Sequence, residues 1–173
     1  MRLVVRVLVR ITVAGAVALA APTSSAVLGA PCWRAPVSAT VVDPFRAPAC
    51  RWCAGNRGIE YRTTPGRQVR TVAAGRVTFS GSVAGTRYVV VQIAGGWRLT
   101  YGRLASVSVR RGDTVAARTV VGTTGRRLFF GLRVGGTYRD PARYLGQWVG
   151  RPRLVPLDGA HRRTSPLRWR CSG

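Results

Sequence analysis

Side chains able to carry chemistry are sparse in this chain of 173 residues. Four cysteines, one histidine and five carboxylates stand among 28 basic residues, all of them arginine. Cys50-Arg51-Trp52-Cys53 has the spacing of a dithiol redox site or of half a zinc site, since two thiolates three residues apart reach one disulfide or one metal. A redox role needs a strand-to-helix setting and a zinc site a second such pair, and the sequence offers neither. Cys32, Cys50, Cys53 and Cys171 are an even set, which in an oxidising compartment reads as two disulfides. Three pairings are open. The favoured one joins Cys32 to Cys171, tying the two ends together, and leaves Cys50 and Cys53 to close a small local loop. His161, the only histidine, lies in a proline-interrupted stretch and reads as a surface residue rather than a ligand.

The leader and the charge bound the setting. Arg2, Arg6 and Arg10 stand among Leu and Val, and an apolar run follows over residues 11–21, the form of a secretory leader. Ser24-Ser25-Ala26 supplies a small-x-small cleavage signal, so residues 1–26 are expected to be a signal peptide removed after Ala26. The run is short for about 30 Å of hydrocarbon, which favours cleavage over a retained anchor, and no later stretch approaches transmembrane length. Leu28-Gly29-Ala30-Pro31-Cys32 departs from a lipobox at Pro31 and Gly29. What remains suffices for one domain. The net charge of +23 invites a nucleic-acid role, but the arginines are scattered singly, and an exported basic surface meets anionic envelope polymers. No nucleic-acid partner is expected.

The elements that must position any site are strands. Runs rich in Val, Thr, Tyr and Phe recur between glycines over residues 69–73, 76–80, 88–93, 97–104, 107–109, 120–122 and 128–134, which predicts a small all-β, antiparallel domain. Gly95-Gly96 and Gly135-Gly136 read as hairpin turns, because glycine accepts the positive φ such turns require. Residues 27–54 are expected to run extended and proline-rich across the surface, residues 55–146 to form the core domain, and residues 147–173 a basic, irregular tail pinned by Cys171.

One ordered set of motifs spans this core. Asn56-Arg57-Gly58-Ile59-Glu60, then Pro65-Gly66, then Ala73-Ala74-Gly75-Arg76-Val77 lead into Leu99-Thr100-Tyr101-Gly102-Arg103-Leu104. Arg111-Gly112-Asp113-Thr114-Val115 and Leu128-Phe129-Phe130-Gly131 follow. In order and spacing the set resembles the lysostaphin/LytM-type zinc endopeptidases of peptidoglycan, whose fold is a small antiparallel β-sheet (the duplicated hybrid motif).

The resemblance implies a zinc held by the His and Asp of His-x-x-x-Asp and by the second His of His-x-His, with water completing the set. Here Asn56 and Glu60 stand at the first two positions and Arg127 and Phe129 at the His-x-His pair, while Arg103 stands where the family has a further His that assists the tetrahedral intermediate. Arginine and phenylalanine have no lone pair for a metal, so no cofactor is expected, and Glu60 reads as the partner of an arginine such as Arg57 or Arg103. The surviving cleft, with Arg103, Arg127, Trp97, Tyr101 and Phe129 as candidate lining, implies a non-catalytic exported domain that binds peptidoglycan or another anionic envelope polymer, or regulates a cell-wall hydrolase. The alternatives are an active zinc endopeptidase with a non-standard site and a basic module for polyanions.

Overall fold

The computed structural model describes residues 31–50, 52–149 and 168–171. The expected leader, its cleavage point and His161 lie outside the described residues. The strands are β1 (Thr40–Asp43), β2 (Gly58–Arg62), β3 (Gln68–Arg70), β4 (Gly75–Val83), β5 (Thr86–Gln92), β6 (Arg98–Val107), β7 (Thr114–Val115), β8 (Val120–Val134), β9 (Thr137–Arg139), β10 (Gly146–Val149) and β11 (Arg168–Cys171). The first nine form one sheet in the order β1-β2-β8-β6-β5-β4-β7, with β3 and β9 also pairing on β8, and β10 pairs with β11. The expected all-β antiparallel fold is thus the observed one. No described helix is long and apolar enough to cross a membrane.

Alternation divides the sheet into two faces. Leu128, Phe130 and Leu132 of β8, Leu99 and Tyr101 of β6, Val89 and Val91 of β5, and Ile59 of β2 are buried on one face. At about 1.5–3 kcal/mol for each large apolar side chain removed from water, this face is the main source of stability. Tyr101 and Phe130 rings lie 5.4 Å apart within it. The double glycines turn as expected: Gly95 and Gly96 have φ of 72° and 71° between β5 and β6, and Gly135 and Gly136 have φ of 54° and 83° between β8 and β9.

Several segments differ from expectation: the strands expected over residues 97–104 and 107–109 are one strand, β6, those over 120–122 and 128–134 are one strand, β8, and β7 and β9 add to the expected set. β1 and β2 lie outside the expected strands, and β1 extends the sheet ahead of residue 55 by pairing with β2. The proline-rich segment expected on the surface carries Trp33 and Val37 into the core, 6% and 5% exposed. Its backbone is fixed by Trp33 N–H donating to Tyr144 O at 2.7 Å and by the Arg118 guanidinium donating to Ala35 O at 2.8 Å. Part of the tail expected to be irregular is strand β11, whose Cys171 stands opposite Gly146. The disulfides Cys32–Cys171 and Cys50–Cys53 both form, and the first holds β11 against the N-terminal segment.

Candidate functional site

The face of the sheet opposite the core carries the family-equivalent positions. Glu60 stands directly across from Phe129 in the β2–β8 ladder, and Gly102 stands across from Phe129 in the β6–β8 ladder, so β2, β8 and β6 bring these three together. Simple alternation would turn Arg103 toward the core with Tyr101. A bulge between Gly102 and Leu104 and a left-handed backbone at Arg103, φ 60°, re-aim it instead. Its Nη2 lies 2.9 Å from Glu60 Oε1. Arg127 Nη1 lies 3.0 Å from Glu60 Oε2. Glu60 is 6% exposed, and a carboxylate so far out of water needs both charged partners. Arg57, the other partner considered for Glu60, sits instead over the Tyr138 ring at 5.7 Å.

Asn56 is buried and its amide is in use. Nδ2 donates to Asp43 O at 3.3 Å and Pro44 O at 3.1 Å, and Oδ1 accepts from Gly58 N–H at 3.3 Å, tying the end of β1 to the start of β2. Phe129 lies flat on glycine. A Cβ on Gly58 would come within 2.7 Å of the Phe129 ring, one on Gly131 within 3.0 Å, and one on Gly102 within 3.3 Å. The position of a metal-binding imidazole in the family is therefore occupied by a hydrocarbon ring seated on three bare backbone positions.

The zinc implied by the resemblance does not fit these donors. Glu60 Oε2 accepts from Arg127 and Oε1 is ion-paired with Arg103, the Asn56 oxygen is taken by a backbone N–H, and Arg127 and Phe129 have no lone pair to donate to a metal. Among the described residues no three His, Cys, Asp or Glu side chains gather.

Two residues expected in the cleft lie behind it. Tyr101 is fully buried on the core face, where its hydroxyl accepts from Val72 N–H at 3.0 Å and burial pushes the phenol pKa well above its usual range. Trp97 packs against the same core, edge-on to Trp33 at 6.2 Å and to Tyr144 at 5.4 Å. The groove of about 360 Å³ beside Phe129 is lined instead by Arg57, Tyr88, Arg98, Arg133 and Tyr138. Tyr88 had a readable signal, since it alternates with the buried Val89 and Val91 and so faces the same way as Phe129.

The strand pair β2–β8 carries Glu60 opposite Phe129, positions at which the lysostaphin resemblance puts metal ligands. Residues 54–141, just over half of the chain, match peptidase family M23. The chain belongs to peptidase family M23. This M23 chain is 34% identical over 121 residues to a Haemophilus influenzae protein of uncharacterised function, covering 64% of the chain and 28% of that protein. It is 27% identical over 123 residues to the murein hydrolase activator NlpD of Escherichia coli, covering 66% and 31%. The solution structure of lysostaphin has the same fold, with a TM-score of 0.59 and 20% identity over 76% of this chain and 62% of that one. The chain spans less than a third of the length of the two curated relatives.

Proposed function

We propose that this M23 domain is a non-catalytic component of the cell envelope that binds peptidoglycan or regulates a cell-wall hydrolase. The observation that carries the reading is Glu60, the one strong oxygen donor among the family's metal positions, closed on both oxygens by Arg103 and Arg127. Hydrolysis in the family relies on metal-activated water, and here the arginines occupy the carboxylate that would hold the metal, while Phe129 at the third ligand position has no lone pair to donate. A relative named as a murein hydrolase activator supports a regulatory role. The leader pattern and the four cysteines support export.

The test is the zinc content of the purified protein, with peptidoglycan digestion and sedimentation with isolated sacculi assayed on the same sample. Zinc-free protein that sediments with sacculi without cleaving them, or that changes the rate of an added hydrolase, is the expected result. Stoichiometric zinc with cleavage lost on chelation would overturn the reading.

A further inference from the structure

Beside the Glu60 cluster, sharing Arg103 and Arg127 with it, lies a second concavity of about 420 Å³. It is lined by Arg87, Arg103, Arg126 and Arg127 with Gly85, Thr86 and Leu104, and no acidic side chain lines it. We propose that this four-arginine pocket is a binding site for the phosphate group of a polyol or sugar phosphate ester.

Three of the four arginines are held in advance of any ligand. Arg103 and Arg127 are fixed on the two oxygens of the buried Glu60, which leaves their remaining N–H donors to point elsewhere. Arg87 donates to Ala105 O at 2.8 Å, and the Arg126 carbonyl accepts from Thr63 N–H at 3.0 Å, fixing the backbone beneath its side chain. Guanidinium groups positioned in this way lose little freedom on binding an oxyanion and meet it with paired N–H donors. In this arrangement Glu60 is a positioning residue: it orients two of the four cations without facing the pocket.

Charge and shape select among anions. Four guanidiniums against one Glu60 leave a surplus that a single carboxylate satisfies poorly and a phosphate monoester, carrying close to two charges at neutral pH, satisfies better. The lining has no aromatic ring, so a nucleobase would find no aromatic platform beside its phosphate. The pocket is therefore suited to phosphate on a saturated, hydroxylated carrier. It lies beside the family's zinc position without using it, so it stands or falls separately from the non-catalytic reading proposed above.

Titration calorimetry of the full protein at low salt with glycerol 3-phosphate, acetate and adenosine 5′-monophosphate tests the assignment on the wild type. Saturable binding of glycerol 3-phosphate is expected, with acetate at least about tenfold weaker and the nucleotide no tighter. The double variant Arg87→Gln/Arg126→Gln, which leaves the Glu60 pairs intact, should weaken glycerol 3-phosphate by at least about tenfold. Arg110→Gln/Arg139→Gln, which removes the same charge away from the pocket, should stay within about twofold. Equal loss in both variants would mean attraction by net charge alone, and the proposal fails. It also fails if acetate binds as tightly, if the nucleotide binds more tightly, or if glycerol 3-phosphate does not saturate.

Discussion

Arg127 reaches diagonally across the β2–β8 ladder to Glu60, Nη1 to Oε2 at 3.0 Å, although its direct partner in the register is Arg62. The carboxylate it meets is buried while the guanidinium is about half exposed, so the pair is worth more than a surface ion pair and less than a fully buried one. Glu60→Gln should cost about 1–2 kcal/mol. Arg103→Met with Arg127→Met should cost more, about 3 kcal/mol, because it strands a buried negative charge. Urea unfolding of both variants checks the order; a double variant as stable as wild type would show that the pairs contribute nothing.

Zinc should leave the protein unmoved. A ligand that binds the folded state raises the melting temperature in proportion to the logarithm of its concentration over Kd. Melting curves with excess zinc and with chelator are expected to coincide, and a zinc-dependent upward shift would expose a donor set outside the one described.

Two buried tyrosines make opposite predictions. The Tyr61 hydroxyl is buried with no hydrogen-bond partner among the described residues, so Tyr61→Phe should be neutral or stabilise by up to about 1 kcal/mol. Tyr101→Phe strips Val72 N–H of its acceptor and should destabilise by about 1 kcal/mol or more. Burial raises both phenol pKa values. At high pH the unfolded chain thus binds fewer protons than the folded one, and stability should fall as pH rises above the ordinary phenol value of about 10. Denaturant titrations from neutral to alkaline pH test the sign.

The two disulfides differ in weight. Cys32–Cys171 closes a loop with a sequence separation of 139, for which the chain-entropy estimate is about 5 kcal/mol as an upper value. Cys50–Cys53, separated by 3, restrains very little chain. Cys32→Ser/Cys171→Ser should lower the denaturation midpoint sharply and Cys50→Ser/Cys53→Ser only slightly, as read by parallel melts.

Backbone proximity makes Gly58 intolerant. A Cβ there would lie 2.4 Å from the Phe130 carbonyl oxygen as well as against the Phe129 ring. Gly58→Ala should therefore cost more than about 2 kcal/mol and open the β2–β8 ladder, visible as lost amide protection at Ile59 and Glu60.

What was legible in the sequence was local. The glycine pairs at residues 95–96 and 135–136 and the alternation of Leu128, Phe130 and Leu132 need only their neighbours to be read. β2 was missed although Ile59 and Tyr61 alternate with Glu60 and Arg62, because so short a run is pinned only by its pairing with β8, more than sixty residues away in sequence. Tyr101 was misplaced for a related reason. The register that sets Gly102, not Tyr101, opposite Phe129 is a property of two strands together. Arg103 came to the site by a bulge that breaks the period-two rule, so its position followed from the family resemblance and its aim toward Glu60 only from the fold.

The closure of Cys32 on Cys171, with Cα atoms 5.5 Å apart, also sets how the domain carries load. Tension entering along the chain before Cys32 and leaving after Cys171 passes through one covalent bridge and bypasses every ladder of the sheet. Under such tension the domain is a link of nearly constant length, and its strands stay unloaded until the bridge is reduced.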